Sequence, residues 1–127
     1  MSTILLVEDD IRFRHTVKAI LSSRFPLVHI EEASDGEEAL KKVDACNPAI
    51  VFIDIRLPGE NGIVVTGKIK QKYPEIVVAV LTGYDLQEYR EASAMSGAKY
   101  FLSKDSLQVS ALQGAVEDAL SRSGSNS

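Results

Sequence analysis

Glu8, Asp9 and Asp10 stand together after one apolar run, and Asp54 follows a second. Thr82 and Gly83 follow a third, and Lys104 comes soon after a fourth. On one rim, four carboxylates would repel one another strongly at moderate dielectric and would raise their own pKa values. The natural compensators are a lysine and a hard divalent cation with oxygen ligands, Mg²⁺ first among them. Such an ion is typically held by one or two carboxylates plus a phosphate, so the set calls for a phosphoryl ligand. The acidic stretch Glu8–Asp10 has no glycine-rich nest to cradle a nucleotide phosphate, so the phosphoryl group must arrive beside the metal. Asp54, at the head of a turn-rich segment, is the best acceptor, because a carboxylate can act as a nucleophile and form an acyl phosphate. Thr82 offers a hydroxyl, Gly83 a closely approachable backbone N–H and Lys104 a point positive charge for the phosphoryl oxygens. Asp10 taken alone is equally suited to cap a helix.

For these residues to meet, the chain must bring four strand ends together, and its hydrophobic periodicity does so. Ile4 to Val7, Ala49 to Ile53 and Ile76 to Leu81 are continuous apolar runs of the kind buried on both faces of a parallel sheet. Leu27, Val28 and Ile30 suggest a further strand, and Lys99 to Leu102 a short fifth. Between them Phe13, Val17, Ile20 and Leu21, then Ala39, Leu40, Val43 and Cys46, recur at helical spacing. Ser34 with Glu37 matches a capping box, and Asn47-Pro48 ends that helix. A helix from about Ile63 to Lys72 stops at Tyr73-Pro74. Another starts at Asp85 as N-cap and ends at Gly97, and a last amphipathic helix follows Leu107. Five βα units in succession predict an α/β fold: a doubly wound, five-stranded parallel sheet of order 2-1-3-4-5, flavodoxin-like (βα)5. Ligands of such sheets bind beyond the strand C-terminal ends at the switch point beside strand 1, which is where the acids stand.

The 127 residues suit one domain, expected over 1–121, with residues 122–127 (Arg-Ser-Gly-Ser-Asn-Ser) as a flexible tail or the start of a linker. With 45% hydrophobic residues the chain can bury a core, and a net charge of -4 argues against nonspecific nucleic-acid binding. Cys46 has no partner for an internal disulfide and reads as a small core residue; His15 and His29 read as surface residues. No signal peptide or membrane span is visible, so the expected location is the reduced cytoplasm.

LLVEDD, FIDIRLPGENG, VLTGY and GAKYFLSKDS resemble, in order and spacing, the four signature segments of the bacterial response-regulator receiver family, over about residues 3 to 121. The resemblance implies a signalling domain of two-component systems rather than an enzyme, with Asp54 as both phosphoacceptor and metal ligand. It implies that Asp9 touches Mg²⁺ directly, Glu8 through water, and Arg56 by its backbone carbonyl, while Thr82 and Lys104 bind the phosphoryl group. The donor would be a sensor histidine kinase or a phosphotransfer protein. Phosphorylation would shift the face formed by helix 4, strand 5 and helix 5, with Thr82 and Phe101 as the switch pair and a homodimer as one output. Similar segments occur in regulators with a DNA-binding domain, so the chain is compatible both with a stand-alone receiver and with the N-terminal part of a transcriptional regulator.

Three positions depart from the family's pattern. The strand-5 switch aromatic, often tyrosine, is Phe101, which removes a hydroxyl hydrogen bond. Asp105 stands where proline often follows the lysine. A cis Lys104–Asp105 bond would then cost roughly 2.5–4 kcal/mol, so the sequence leaves open a strained cis bond or a relaxed trans loop, the latter slightly favoured. The acidic pair is Glu-Asp rather than Asp-Asp. In this family the positions flanking the approach of hydrolytic water are here Arg56 and Tyr84, neither of which can orient that water as a carboxylate would. A slow loss of the phosphoryl group is therefore expected. A phosphohydrolase with an aspartate nucleophile would need a general acid at the position of Arg56, and a flavodoxin-like cofactor site would need a glycine- and hydroxyl-rich loop in place of Glu8–Asp10. An interaction domain that works without phosphorylation would not require the complete set Glu8, Asp9, Asp54, Thr82 and Lys104.

Overall fold

The computed structural model describes residues 2–124. Strands and helices alternate along the chain: β1 (Thr3–Val7), α1 (Ile11–Arg24), β2 (His29–Ala33), α2 (Gly36–Cys46), β3 (Ile50–Ile53), α3 (Gly62–Lys72), β4 (Val77–Thr82), α4 (Gln87–Met95), β5 (Tyr100–Ser103) and α5 (Val109–Gly124). The strands form one parallel sheet in the order β2-β1-β3-β4-β5, the order expected from the alternation.

Alternation of side chains along each strand divides the core into two layers. Ile4, Leu6, Phe52, Ala79 and Leu81 face α1 and α5, where they meet Val17, Leu21, Leu112, Ala115 and Val116. Leu5, Val7, Val51, Ile53, Val78 and Val80 face the opposite way, onto Ala39 and Val43 of α2 and Val65 and Ile69 of α3. The three central strands thus have two apolar faces, which explains their unbroken hydrophobic runs. Edge strand β2 instead carries Glu31 and Glu32, charges that discourage edge-to-edge pairing.

The register lines up the strand ends. Val7 pairs with Ile53, and Ile53 with Val80. Beyond the strands, Asp54 N–H donates to Val7 O (3.1 Å), Glu8 N–H to Ala33 O (2.9 Å) and Lys104 N–H to Thr82 O (2.9 Å). The residues just past the strands are therefore held by the sheet itself rather than by free loops.

Several helix ends differ from the sequence reading. The box over α2 sits one residue later than Ser34/Glu37: Asp35 is the N-cap and accepts from Glu38 N–H, while the Glu38 carboxylate reaches back to the N–H and hydroxyl of Ser34. Asp85 does not cap α4. Its carboxylate is taken by Arg90, and the N-cap is Leu86, which makes no side-chain cap bond. Leu107 packs on the core ahead of α5, which begins at Val109. That helix runs through Gly124, so residues 122–124 of the expected tail continue it, and residues 125–127 lie outside the described residues. Asn47, at φ 46°, ends α2, and Gly97, at φ 107°, follows α4, both as expected. The Lys104–Asp105 bond is trans, as all described peptide bonds are.

Candidate functional site

Glu8, Asp54 and Lys104 meet above the C-terminal ends of β1, β3 and β5. Lys104 Nζ lies 2.5 Å from Glu8 Oε1 and 3.0 Å from Asp54 Oδ2. Both acids are 6% exposed. The second Glu8 oxygen, Oε2, accepts from Asp10 N–H at 3.1 Å. Asp9 stands exposed beside them, and Glu8, Asp9 and Asp54 each bring a carboxylate oxygen within 4.8 Å of the others. Asp10 is not part of this group. Its carboxylate accepts from the N–H groups of Arg12 and Phe13 and caps α1, so three acids converge rather than four.

Charge and burial are out of balance here. Three carboxylates against one ammonium leave two negative charges when all are ionised. Burial pushes the Glu8 carboxyl above the ordinary glutamate value. Its bonds from Lys104 and Asp10 N–H only partly oppose this, and the nearby Asp54 charge adds to it. Burial by itself would lower the Lys104 ammonium, but its bonds to Glu8 and Asp54 outweigh that and hold it above the ordinary lysine value. Lys104 is thus a fixed positive charge. Asp54 Oδ1 is buried with no hydrogen-bond partner among the described residues. A buried carboxylate oxygen left without a donor is costly. An all-oxygen donor set with surplus negative charge and one unsatisfied oxygen fits a hard divalent cation such as Mg²⁺.

The other residues singled out in the sequence lie around this centre. Thr82 is fully buried, and its hydroxyl accepts from Tyr84 N–H at 3.2 Å. Nothing lies within 4 Å of where a side chain on Gly83 would begin, so its backbone is open to a ligand. Arg56 and Tyr84, both exposed, are stacked, with the guanidinium 4.0 Å from the ring centroid. Phe101 is half-buried under the guanidinium of Arg90 at 4.7 Å, and that guanidinium also forks onto Asp85 at 2.6 and 3.0 Å.

Three contributors escaped the sequence reading. The ring of Phe13 underlies Lys104 Nζ at 4.6 Å. Arg14 Nη1 donates to the Glu8 carbonyl at 2.6 Å. Gly62 N–H donates to Ile55 O at 2.8 Å, and a Cβ on Gly62 would lie 2.0 Å from the Asp54 carbonyl oxygen. The turn of which Asp54 is the head therefore closes only over a glycine. The sequence showed Gly62 as part of a turn-rich loop but not what it touches.

Comparison with known proteins agrees with this geometry. The family model described as "Response regulator receiver domain" matches residues 4–117. Transcriptional regulatory protein DegU of Brevibacillus brevis is 32% identical over 114 residues, which is 90% of this chain and 48% of that protein. Oxygen regulatory protein NreC of Staphylococcus epidermidis is 33% identical over 81% of this chain and 48% of its own length. The chain thus spans about half the length of the curated relatives it matches. Among solved structures, response regulator protein TrrA of Thermotoga maritima, in complex with Mg(2+)-BeF, has a TM-score of 0.83 and 33% identity, covering 94% of this chain and 100% of that one.

Proposed function

The chain belongs to the response regulator receiver domain family, and from that premise we propose that Asp54 is its phosphoryl acceptor, assisted by Mg²⁺ held at Glu8, Asp9 and Asp54. The observation that carries this reading is the buried, unpartnered Oδ1 of Asp54, set among acids that one lysine does not neutralise. The solved complex of TrrA with Mg(2+)-BeF supports the choice of cation. Asp9 would ligate directly, Glu8 through water since Lys104 and Asp10 N–H already occupy its oxygens, and the Arg56 carbonyl would add a further ligand. Mg²⁺ would supply charge neutralisation for the oxygens of the incoming phosphoryl group.

The protein's own groups do the rest. An Asp54 carboxylate oxygen attacks phosphorus and forms an O–P bond. The P–N bond of a partner's phosphohistidine breaks, and its electron pair stays on the imidazole nitrogen, which takes a proton from solvent. Lys104, already charged and poised by Glu8, turns to a phosphoryl oxygen as Asp54 becomes an acyl phosphate. The Thr82 hydroxyl and Gly83 N–H serve the remaining oxygens. For Thr82 this means a hydroxyl that now accepts from Tyr84 N–H must also donate to the ligand, which couples the phosphoryl group to the segment leading into α4. Phe101 and the α4–β5–α5 face would carry the change outward to an output, including a homodimer. DegU among the relatives favours a transcriptional output. The partners on the input side would be a sensor histidine kinase or a phosphotransfer protein. In this reading the domain catalyses only its own phosphorylation and slow dephosphorylation.

Acetyl phosphate with Mg²⁺ is expected to add one phosphoryl group to the wild type and none to Asp54→Asn, as read by intact mass. Equal labelling of both proteins would remove Asp54 as the acceptor.

A further inference from the structure

Asp9 is exposed, so the aim of its carboxylate comes from the backbone that carries it. That backbone has left the sheet: Glu8 N–H is the last group of this segment to bond β2, through Ala33 O, and Asp10 is already the cap of α1. Between these two anchors the carbonyl of the Glu8–Asp9 peptide is met by a side chain. Arg14 Nη1 donates to the Glu8 carbonyl at 2.6 Å, while its Nε donates to Glu32 Oε1 on β2 at 2.8 Å. The Arg14 side chain is 15% exposed and that of Glu32 24%, and Lys18 Nζ holds the other Glu32 oxygen at 2.8 Å. The planar guanidinium is therefore fixed at both ends, as a lysine ammonium could not be.

We propose that Arg14 is a positioning residue for the acid pair: by clamping the Glu8 carbonyl it sets the peptide from which Glu8 and Asp9 face Asp54 and the cation. Glu32 orients the clamp. The inference rests on the Mg²⁺ reading above and adds a residue that touches neither the ion nor the phosphoryl group. It differs in sign from a purely structural role. If Arg14 only ties α1 to β2, deleting its positive charge near the acids strengthens Mg²⁺ binding by Coulomb's law. If it positions the pair, the same deletion weakens binding, on the order of tenfold, as losses of groups that orient metal ligands typically do.

The test is calorimetric titration of MgCl₂ into wild type and Arg14→Met, with circular dichroism to establish folding. Weaker binding by a folded Arg14→Met supports the proposal. Equal or tighter binding overturns it and leaves the metal site standing. Absence of Mg²⁺ binding by the wild type overturns the metal reading and this inference with it. Should Arg14→Met fail to fold, Arg14→Lys decides: it keeps the charge but loses the fork, so an unchanged Kd overturns the proposal and a weakened one supports it.

Discussion

The guanidinium of Arg56 and the ring of Tyr84, stacked at 4.0 Å, bear on how long a phosphoryl group would survive on Asp54. An exposed cation–π contact is worth about 0.5–1 kcal/mol, enough to hold two long side chains together much of the time. We propose that, joined in this way, the residues two positions after Asp54 and two after Thr82 screen the side from which water would attack in line. Neither is a carboxylate able to orient that water. Raising the barrier by about 1.4–2.8 kcal/mol slows hydrolysis roughly ten- to a hundredfold. The phosphorylated wild type is therefore expected to persist for minutes or longer after donor removal, and Arg56→Asn/Tyr84→Glu to decay faster. Decay of the wild type within seconds, or no acceleration in the double variant, would show that the pair does not guard the site.

At the level of elements, α3 carries two glycines with opposite physics. Gly62, at its first position, lies so close to the Asp54 carbonyl that a Cβ would fall 2.0 Å from its oxygen. A Cβ on Gly67, in the interior, would meet Ser96 Cβ at 4.0 Å, an ordinary contact. Alanine stabilises a helix interior over glycine by about 1 kcal/mol where nothing opposes it. Gly67→Ala is accordingly expected to raise stability by roughly 0.5–1 kcal/mol. Gly62→Ala must displace backbone beside Asp54 and is expected to lower it by about 1–3 kcal/mol. Urea denaturation of the two variants reads both signs, and a stable Gly62→Ala would contradict the close packing of α3 under Asp54.

Over the whole molecule the site is a junction. Residues from the start of the chain, its middle and its last third meet above one sheet edge because all five strands run parallel and in register. On the proposed reading, a cation bound there would tie the β1–α1 and β3–α3 segments together and would favour the folded state. Mg²⁺ should then stabilise the fold by RT ln(1 + [L]/Kd), about 2.7 kcal/mol at a hundredfold excess over Kd. Thermal melts with and without Mg²⁺ are expected to show this increment in the wild type and to lose it in Asp9→Ala. That variant should be no less stable than the wild type without metal, since it relieves repulsion. An undiminished Mg²⁺ response in Asp9→Ala would exclude Asp9 as a ligand.

The alternation of elements, the order of the strands and the placing of Glu8, Asp9, Asp54, Thr82 and Lys104 at strand ends were legible in the amino-acid pattern. This is because a strand buried on two faces must be continuously apolar, and a parallel sheet delivers the C-terminal end of every strand to the same edge. Tertiary structure alone decided what each polar group pairs with. Asp10 and Asp85 both looked able to cap a helix. Asp10 does so, whereas Asp85 is claimed by Arg90 and leaves α4 to begin at an uncapped Leu86. The capping box slipped from Ser34/Glu37 to Asp35/Glu38, because a cap needs an extended backbone at one particular residue, which spacing does not specify. Arg14, Phe13 and Gly62 carried no signal of their contacts at the site, since the Glu8 carbonyl, the Lys104 ammonium and the Asp54 carbonyl reach them only when separate segments pack at van der Waals distance.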